Sequence, residues 1–346
     1  MSVVRRNAVP AVEPDGAPGD LMKAIVQEHF GPPDTMRLMH PREPEIGSGD
    51  VLLRVNAAAV NPYDWHMLRG DPRIARLMGG VGLTRPKARI AGVDVAGRVV
   101  RVGSDVQGLR PGDEVYGFAR GAFAECAAAD AALVAPRPAG LSFEQAAAMP
   151  MAAVTALHAI RDRGRVQPGH RVLVNGAAGG VGTFAVQIAT ALGAEVTGVC
   201  SARNVALVRS IGAAHVVDHE SADFTDGLVR YDLILDNVGN RSIRDLRRAV
   251  TPTGTVIMNG GGSPGHVVGA VGSMLRAAVV NLFVRHRITM VPTIWSRDDL
   301  LAVTGLVDAG TLRPVIDRTY PLADTAAALR YVEAGHAAGK VVITVT

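Results

Sequence analysis

Hydrophobic positions change their spacing twice along this chain. From Met22 to about Pro136 they come in short runs broken by Gly and Pro. These include VLLRVNAAAV at 51–60, GRVVRVG at 97–103 and GLRPGDEVYG at 108–117, where a Pro-Gly turn feeds a strand. That spacing predicts a mainly β region. AGLSFEQAAAMPMAAVTALHAI then reads as helix, with Ser142 as its N-cap and alanine-rich periodicity behind it. Further on, continuous apolar strands alternate with helices. Strands are expected at 171–175, 195–200, 215–218, 231–236 and 255–259, and helices at 181–192, 204–211 and 242–250. This alternation is the pattern of a parallel sheet covered on both faces. Beyond Trp295 come a helix (298–309), a strand (315–320), a helix (325–334) and the closing strand KVVITVT, which most simply returns to the first region.

One turn in the alternating part is crowded with glycine. LVNGAAGGVG, residues 173–182, follows a strand and opens a helix. That is the setting in which a glycine fingerprint binds a dinucleotide. Gly176 allows the tight turn, Gly179 lets backbone approach a pyrophosphate, and Gly182 allows close helix packing. The amides of Gly180 and Val181 then face the phosphate with the helix dipole behind them. The spacing is G-x-x-G-x-x-G rather than the commoner G-x-G-x-x-G. NAD specificity uses an acidic residue at the end of the next strand. Here that strand ends in GVCSARN, so Ser201 and Arg203 stand where the acid would be. A hydroxyl and a guanidinium suit a 2′-phosphate, and the expected cofactor is therefore NADP, with NADPH preferred over NADH.

Composition narrows the class. With 346 residues the chain is long enough for two domains, and 48% hydrophobic against 20% charged residues supports a buried core. The net charge of +4 is spread along the chain without a basic block, which argues against a nucleic-acid partner. Two distant cysteines, Cys126 and Cys200, exclude a disulfide framework and a cysteine-rich zinc site, and fit a cytoplasmic setting. Residues 1–20 have no signal-peptide core and read as a disordered extension. The apolar stretch at 267–284 carries Arg276 at its middle, so a membrane span is not expected. A helix lining an apolar pocket or a subunit contact is expected instead.

NPYDWHMLRG, AGVDVAGRVVRVG, PGDEVYG, GAAGGVG and GKVVI occur in that order. Together they resemble the medium-chain dehydrogenase/reductase superfamily, and within it the zinc-independent quinone oxidoreductases related to zeta-crystallin. The resemblance runs from about Lys23 to the C-terminus. It implies an α/β protein: a GroES-like, mainly-β catalytic domain (21–145), a Rossmann doubly wound parallel-sheet domain (146–294), and a return to the catalytic domain (295–346). Zinc members of the superfamily carry Cys where this chain has Asn61, Gly-His-Glu where it has Gly92-Val93-Asp94, and a further Cys near Ala152. No zinc is therefore expected. Lacking a Lewis acid, the chain is expected to reduce an activated acceptor, a quinone or an α,β-unsaturated carbonyl. An NADP-dependent alcohol or ketone dehydrogenase and a non-catalytic NADPH-binding protein are the alternatives.

The resemblance also implies roles for single residues. His66 would donate or relay a proton, or hydrogen-bond the cofactor ribose. It stands where zeta-crystallin-like proteins usually have tyrosine. Asn61 and Asp64 would line the cleft, although Asp64 would equally serve by pairing with a nearby arginine. Cofactor contacts are implied for Thr155, His219, Asn240, Gly260, Gly261 and Lys340. The loop at 76–90 and the stretch at 267–284 would shape an apolar pocket for a small carbonyl or quinone substrate. A homodimer is expected, with 287–294 as a pairing edge strand.

Overall fold

The computed structural model describes residues 20–71, 82, 85–86, 88–260, 285–291 and 294–345. Residues 1–19, Gly261, the 267–284 stretch and most of the 76–90 loop lie outside the described residues.

Two sheets carry the fold. The first is built around the long strand β3 (Asp50–Val60). It pairs antiparallel with β4 (Asp94–Val102), β6 (Cys126–Asp130) and the last strand, β15 (Lys340–Thr344). β5 (Glu114–Phe118), β7 (Val134–Pro136) and β14 (Ile316–Pro321) complete seven strands. The closing strand thus returns to the first domain, with Val342 opposite Ala59. A two-stranded ribbon, β1 (Ala24–Val26) with β2 (Arg37–Met39), lies beside this sheet. The run of small residues in β3 has a physical reason. Ala57 and Ala59 belong to one core and Ala58 and Val60 to another, so the strand is covered on both faces.

The second sheet is six-stranded and parallel. Its order is β10 (His215–Asp218), β9 (Glu195–Cys200), β8 (Arg171–Asn175), β11 (Tyr231–Asp236), β12 (Val250–Met258) and β13 (Arg287–Met290). From β8 the chain first builds outward through β9 and β10. It then returns to β8's other side and builds through β11 to β13, so the strand order reverses between β8 and β11. The crevice beyond the strand C-termini at such a reversal is where this architecture binds ligands.

Eight α-helices are described. They are α1 (Pro62–Arg69), α2 (Phe143–Ala147), α3 (Pro150–Leu157), α4 (Gly180–Ala191), α5 (Val205–Ser210), α6 (Ile243–Ala249), α7 (Arg297–Asp308) and α8 (Thr325–Glu333). The single helix expected after Ser142 is two. Ser142 does cap α2 and forms a capping box with Gln145, but Pro150 restarts the chain as α3. Proline lacks the amide that would continue the first helix and fits only a first turn. Among the described residues no helix is long and apolar enough to cross a membrane.

Candidate active site

At the end of β8 the glycine run makes its turn. Gly176 has φ +75°, a conformation that L side chains avoid. A Cβ on Gly182 would stand 2.1 Å from the Gly176 carbonyl, so this glycine lets α4 press on the turn's own backbone. Among the described residues a Cβ on Gly179 would meet only that same carbonyl, at 3.4 Å, which suits a ligand in the space before the helix N-terminus. Gly180 and Val181 open α4 there, with their amides free of helical partners. These residues fit the pyrophosphate of a dinucleotide.

Around the turn the ends of β8, β11 and β12 are tied together by carboxamides. Asn175 donates from Nδ2 to Asp236 Oδ1 (2.8 Å) and to Asn240 Oδ1 (3.0 Å). Asp236 Oδ1 also accepts the amides of Val238 and Gly239. Asn259 reaches Asn237 at 2.8 Å, and a Cβ on Gly260 would collide with the Asn237 carbonyl at 2.2 Å. Asn240 and Gly260 thus both lie at this rim, Asn240 on Asn175 and Gly260 against Asn237. Asn175, Asp236, Asn237 and Asn259 were missed by sequence reasoning. Their only signal was a position at strand C-termini, which many polar residues share.

Ser201 and Arg203 follow β9 on the same rim. Ser201 precedes a single 3-10 turn and accepts from Asn204 Nδ2 (3.2 Å). Arg203 donates from one terminal nitrogen to the His336 carbonyl (3.0 Å), which joins this rim to the loop before β15. His219 lies exposed after β10, its backbone amide donating to Cys200 O.

The catalytic-domain side is a buried charge cluster. Lys340 is 3% exposed, Asp94 0% and Asp64 2%, so all three functional groups are out of water. The Lys340 ammonium donates to Val60 O (3.3 Å), Asn61 Oδ1 and Asp94 Oδ2 (3.4 Å). Its three hydrogens are thus taken by protein oxygens. Asp94 also accepts the Met151 amide at the start of α3 (3.0 Å). Burial pushes its carboxyl above the usual range against the pull of Lys340. Asp64 closes a capping box on α1, accepting the Asn61 amide at 2.7 Å. Its partners are backbone amides rather than the arginine considered above, and burial pushes its carboxyl up to about 7.

Lys340 also touches the dinucleotide turn. Gly339 bridges to Gly179 through the backbone, and a Cβ on Gly180 would sit 3.1 Å from Lys340 Cδ. The nucleotide loop and the charged floor are therefore adjacent. On α3, Met151 and Thr155 alone are half-buried, one helical turn apart, so both lie on the face that the core leaves open. His66 lies on α1, five residues beyond Asn61. Its ring stacks on Trp65 at 3.6 Å, and among the described residues its buried Nδ1 has no hydrogen-bond partner. Burial lowers its pKa below the ordinary value, against the pull of Asp71 and Glu333.

A dinucleotide crevice set against a GroES-like sheet defines a medium-chain dehydrogenase/reductase. Residues 47–159 match the alcohol dehydrogenase GroES-like domain and residues 211–343 the zinc-binding dehydrogenase family. The chain is 32% identical over 375 residues to mouse NAD(P)H oxidoreductase RTN4IP1, mitochondrial, with 99% of this chain and 95% of the relative covered. It is 32% identical to the 2-methylene-furan-3-one reductase of Solanum lycopersicum, covering 93% of this chain and 79% of that one. Among solved structures, the quinone oxidoreductase from Coxiella burnetii superposes with a TM-score of 0.81 at 29% identity, over 94% of this chain and all of that one. The chain belongs to the medium-chain dehydrogenase/reductase superfamily, in its quinone-oxidoreductase-like branch, and is an oxidoreductase.

Proposed function

We propose that this protein is a metal-free, NADPH-dependent reductase of quinones or α,β-unsaturated carbonyls. The observation that carries the reading is the Lys340 ammonium held between Asn61 and Asp94. Those are positions at which zinc members of the superfamily differ from this chain. Here a protein cation already occupies the oxygens, Val93 and Ala152 offer no ligand atom, and the donor set does not fit zinc. Among the described residues no group of three His, Cys, Asp or Glu could hold a metal ion. With its hydrogens used inside the cluster, the ammonium is no substitute for a Lewis acid on a carbonyl. The acceptor must therefore be electrophilic in its own right.

A bound nicotinamide supplies the hydride at C4. The turn from Gly176 to Gly182 holds its pyrophosphate, while Ser201 and the remaining guanidinium hydrogens of Arg203 take the 2′-phosphate. Val93 and Met151, both half-buried, add apolar surface to the cleft beside the charged floor. His66, neutral near pH 7 because burial lowers its pKa, relays a proton rather than storing one. Names of relatives agree with this chemistry: NADPH-dependent alkenal/one oxidoreductase from Arabidopsis thaliana is 32% identical. We place the protein in a reducing cytoplasm, since Cys126 and Cys200 are buried free thiols. We also propose a homodimer formed on β13, the edge of the parallel sheet. Light scattering tests that assembly.

The deciding experiment follows NADPH absorbance with a quinone, an enone and a simple ketone, with and without chelator. Chelator-resistant oxidation by quinone or enone, but not ketone, is expected. Activity abolished by chelator would overturn the metal-free reading.

A further inference from the structure

An aromatic corner borders the charged floor. Phe118, at the end of β5, is the cross-strand partner of Asp94, so the two side chains rise from the same face of the sheet. Trp295 stacks on Phe118 with ring centroids 4.6 Å apart and planes 5° from parallel. Tyr63 comes from α1, two residues after the Asn61 that contacts Lys340. Its ring lies 6.2 Å from Trp295 at 78°. Two rings near a right angle offer a flat guest one face and one edge, the two contacts aromatic rings prefer. Neither ring is sealed in the core: Tyr63 and Trp295 are both half-buried, whereas Phe118 behind them is 2% exposed. Val93 and Met151 pack against the same core as Trp295.

Tyr63 brings a polar atom to this apolar corner. Its hydroxyl makes no hydrogen bond among the described residues, unlike Tyr116, whose hydroxyl donates to Leu300 O at 2.7 Å. Burial and the nearby Asp64 carboxylate hold the Tyr63 phenol above its ordinary pKa, so it stays a donor at neutral pH. A half-buried phenol without a partner suits a ligand oxygen.

We propose that Tyr63 and Trp295 form the acceptor wall of the cleft: they select a planar conjugated ring, and the Tyr63 hydroxyl donates a hydrogen bond to its carbonyl oxygen. This rests on the reductase reading above and narrows it to ring acceptors, quinones before acyclic enones.

The test begins without cofactor. The chain has two tryptophans, Trp65 and Trp295. Tryptophan emission is titrated with a naphthoquinone. Saturable quenching is expected in the natural protein and in Trp65→Phe, and its loss in Trp295→Phe. Tyr63→Phe should weaken half-saturation by about fivefold, the worth of one hydrogen bond. With NADPH present, Trp295→Ala should raise KM for the naphthoquinone by about tenfold while an acyclic enone is affected less than about twofold. Equal quenching in Trp295→Phe, or equal KM effects on both acceptors, would overturn the wall. If an enone oxidises NADPH but the naphthoquinone neither quenches nor reacts, the wall fails and the reductase reading stands. If the naphthoquinone quenches Trp295 saturably but no acceptor consumes NADPH, the wall stands and the reductase reading fails.

Discussion

Replacing Lys340 with methionine removes the cation from the buried floor while keeping an unbranched stem beside Gly180. Asp94 then keeps the Met151 amide and loses its ion pair. Breaking a buried pair by deleting one partner costs roughly 3–5 kcal/mol. Asp94 can lower that cost by taking a proton, at about 1.4 kcal/mol for each unit its pKa lies above the surrounding pH. The sign follows from that escape. Asp94 already has a folded pKa above its unfolded value, so the folded state holds the proton longer and stability falls as pH rises through that window. Without the ammonium its folded pKa rises further and the fall extends to higher pH. The gap between Lys340→Met and the natural protein should therefore be small near pH 5 and widen toward pH 8. For domains of this size, a loss of 3–5 kcal/mol lowers Tm by roughly 10 °C.

Calorimetry across pH reads both the size and the slope of this gap. Adding Asp94→Asn to Lys340→Met should restore most of the loss, because the amide oxygen still accepts from Met151 and no unpaired charge remains. A Lys340→Met protein with unchanged Tm, or a gap that does not vary with pH, would refute the argument. So would a double variant no better than the single one.

Three further outcomes follow from the same geometry. Asp64→Asn keeps an acceptor for the Asn61 amide but cannot ionise; the natural carboxyl, raised to about 7, should lose about 4 kcal/mol of stability between pH 4 and 8, and urea unfolding of the variant should be flatter over that range. Gly182→Ala places a methyl 2.1 Å from the Gly176 carbonyl, and the displaced turn should bind NADPH at least about tenfold more weakly by calorimetric titration, a change of 1.4 kcal/mol. Ser201→Asp puts a carboxylate on the rim after β9, and the ratio of kcat/KM for NADPH over NADH should fall by roughly tenfold or more, as repulsion of a 2′-phosphate requires.

The glycine turn was legible because its causes are local: a strand, a forced φ and a close approach lie within ten residues. The parallel-sheet strands were legible too, since strands buried on both faces read as unbroken apolar runs. α1 was not, for it opens on Asn-Pro and is capped by Asp64 across a short box whose letters suit a turn equally well. β7 is only three residues long, and β6 is a run of small residues, CAAAD, without an alternation of large apolar and polar positions to mark it. The least legible feature is the floor. Lys340 meets Asn61 across 279 residues and Asp94 across 246, a contact no local pattern encodes. What makes it possible is the return of β15 beside β3. That pairing sets Val341 against Val60, and so places the residue before Val341 beside the residue after Val60. The register of one antiparallel pair thus puts an ammonium beside a carboxamide, and a shift of β15 by one residue would turn Lys340 to the other face of the sheet, away from Asn61. The chemistry of this cleft accordingly depends on a strand pairing, which is why the family pattern pointed to Asn61 and Lys340 separately and the fold shows them as one group.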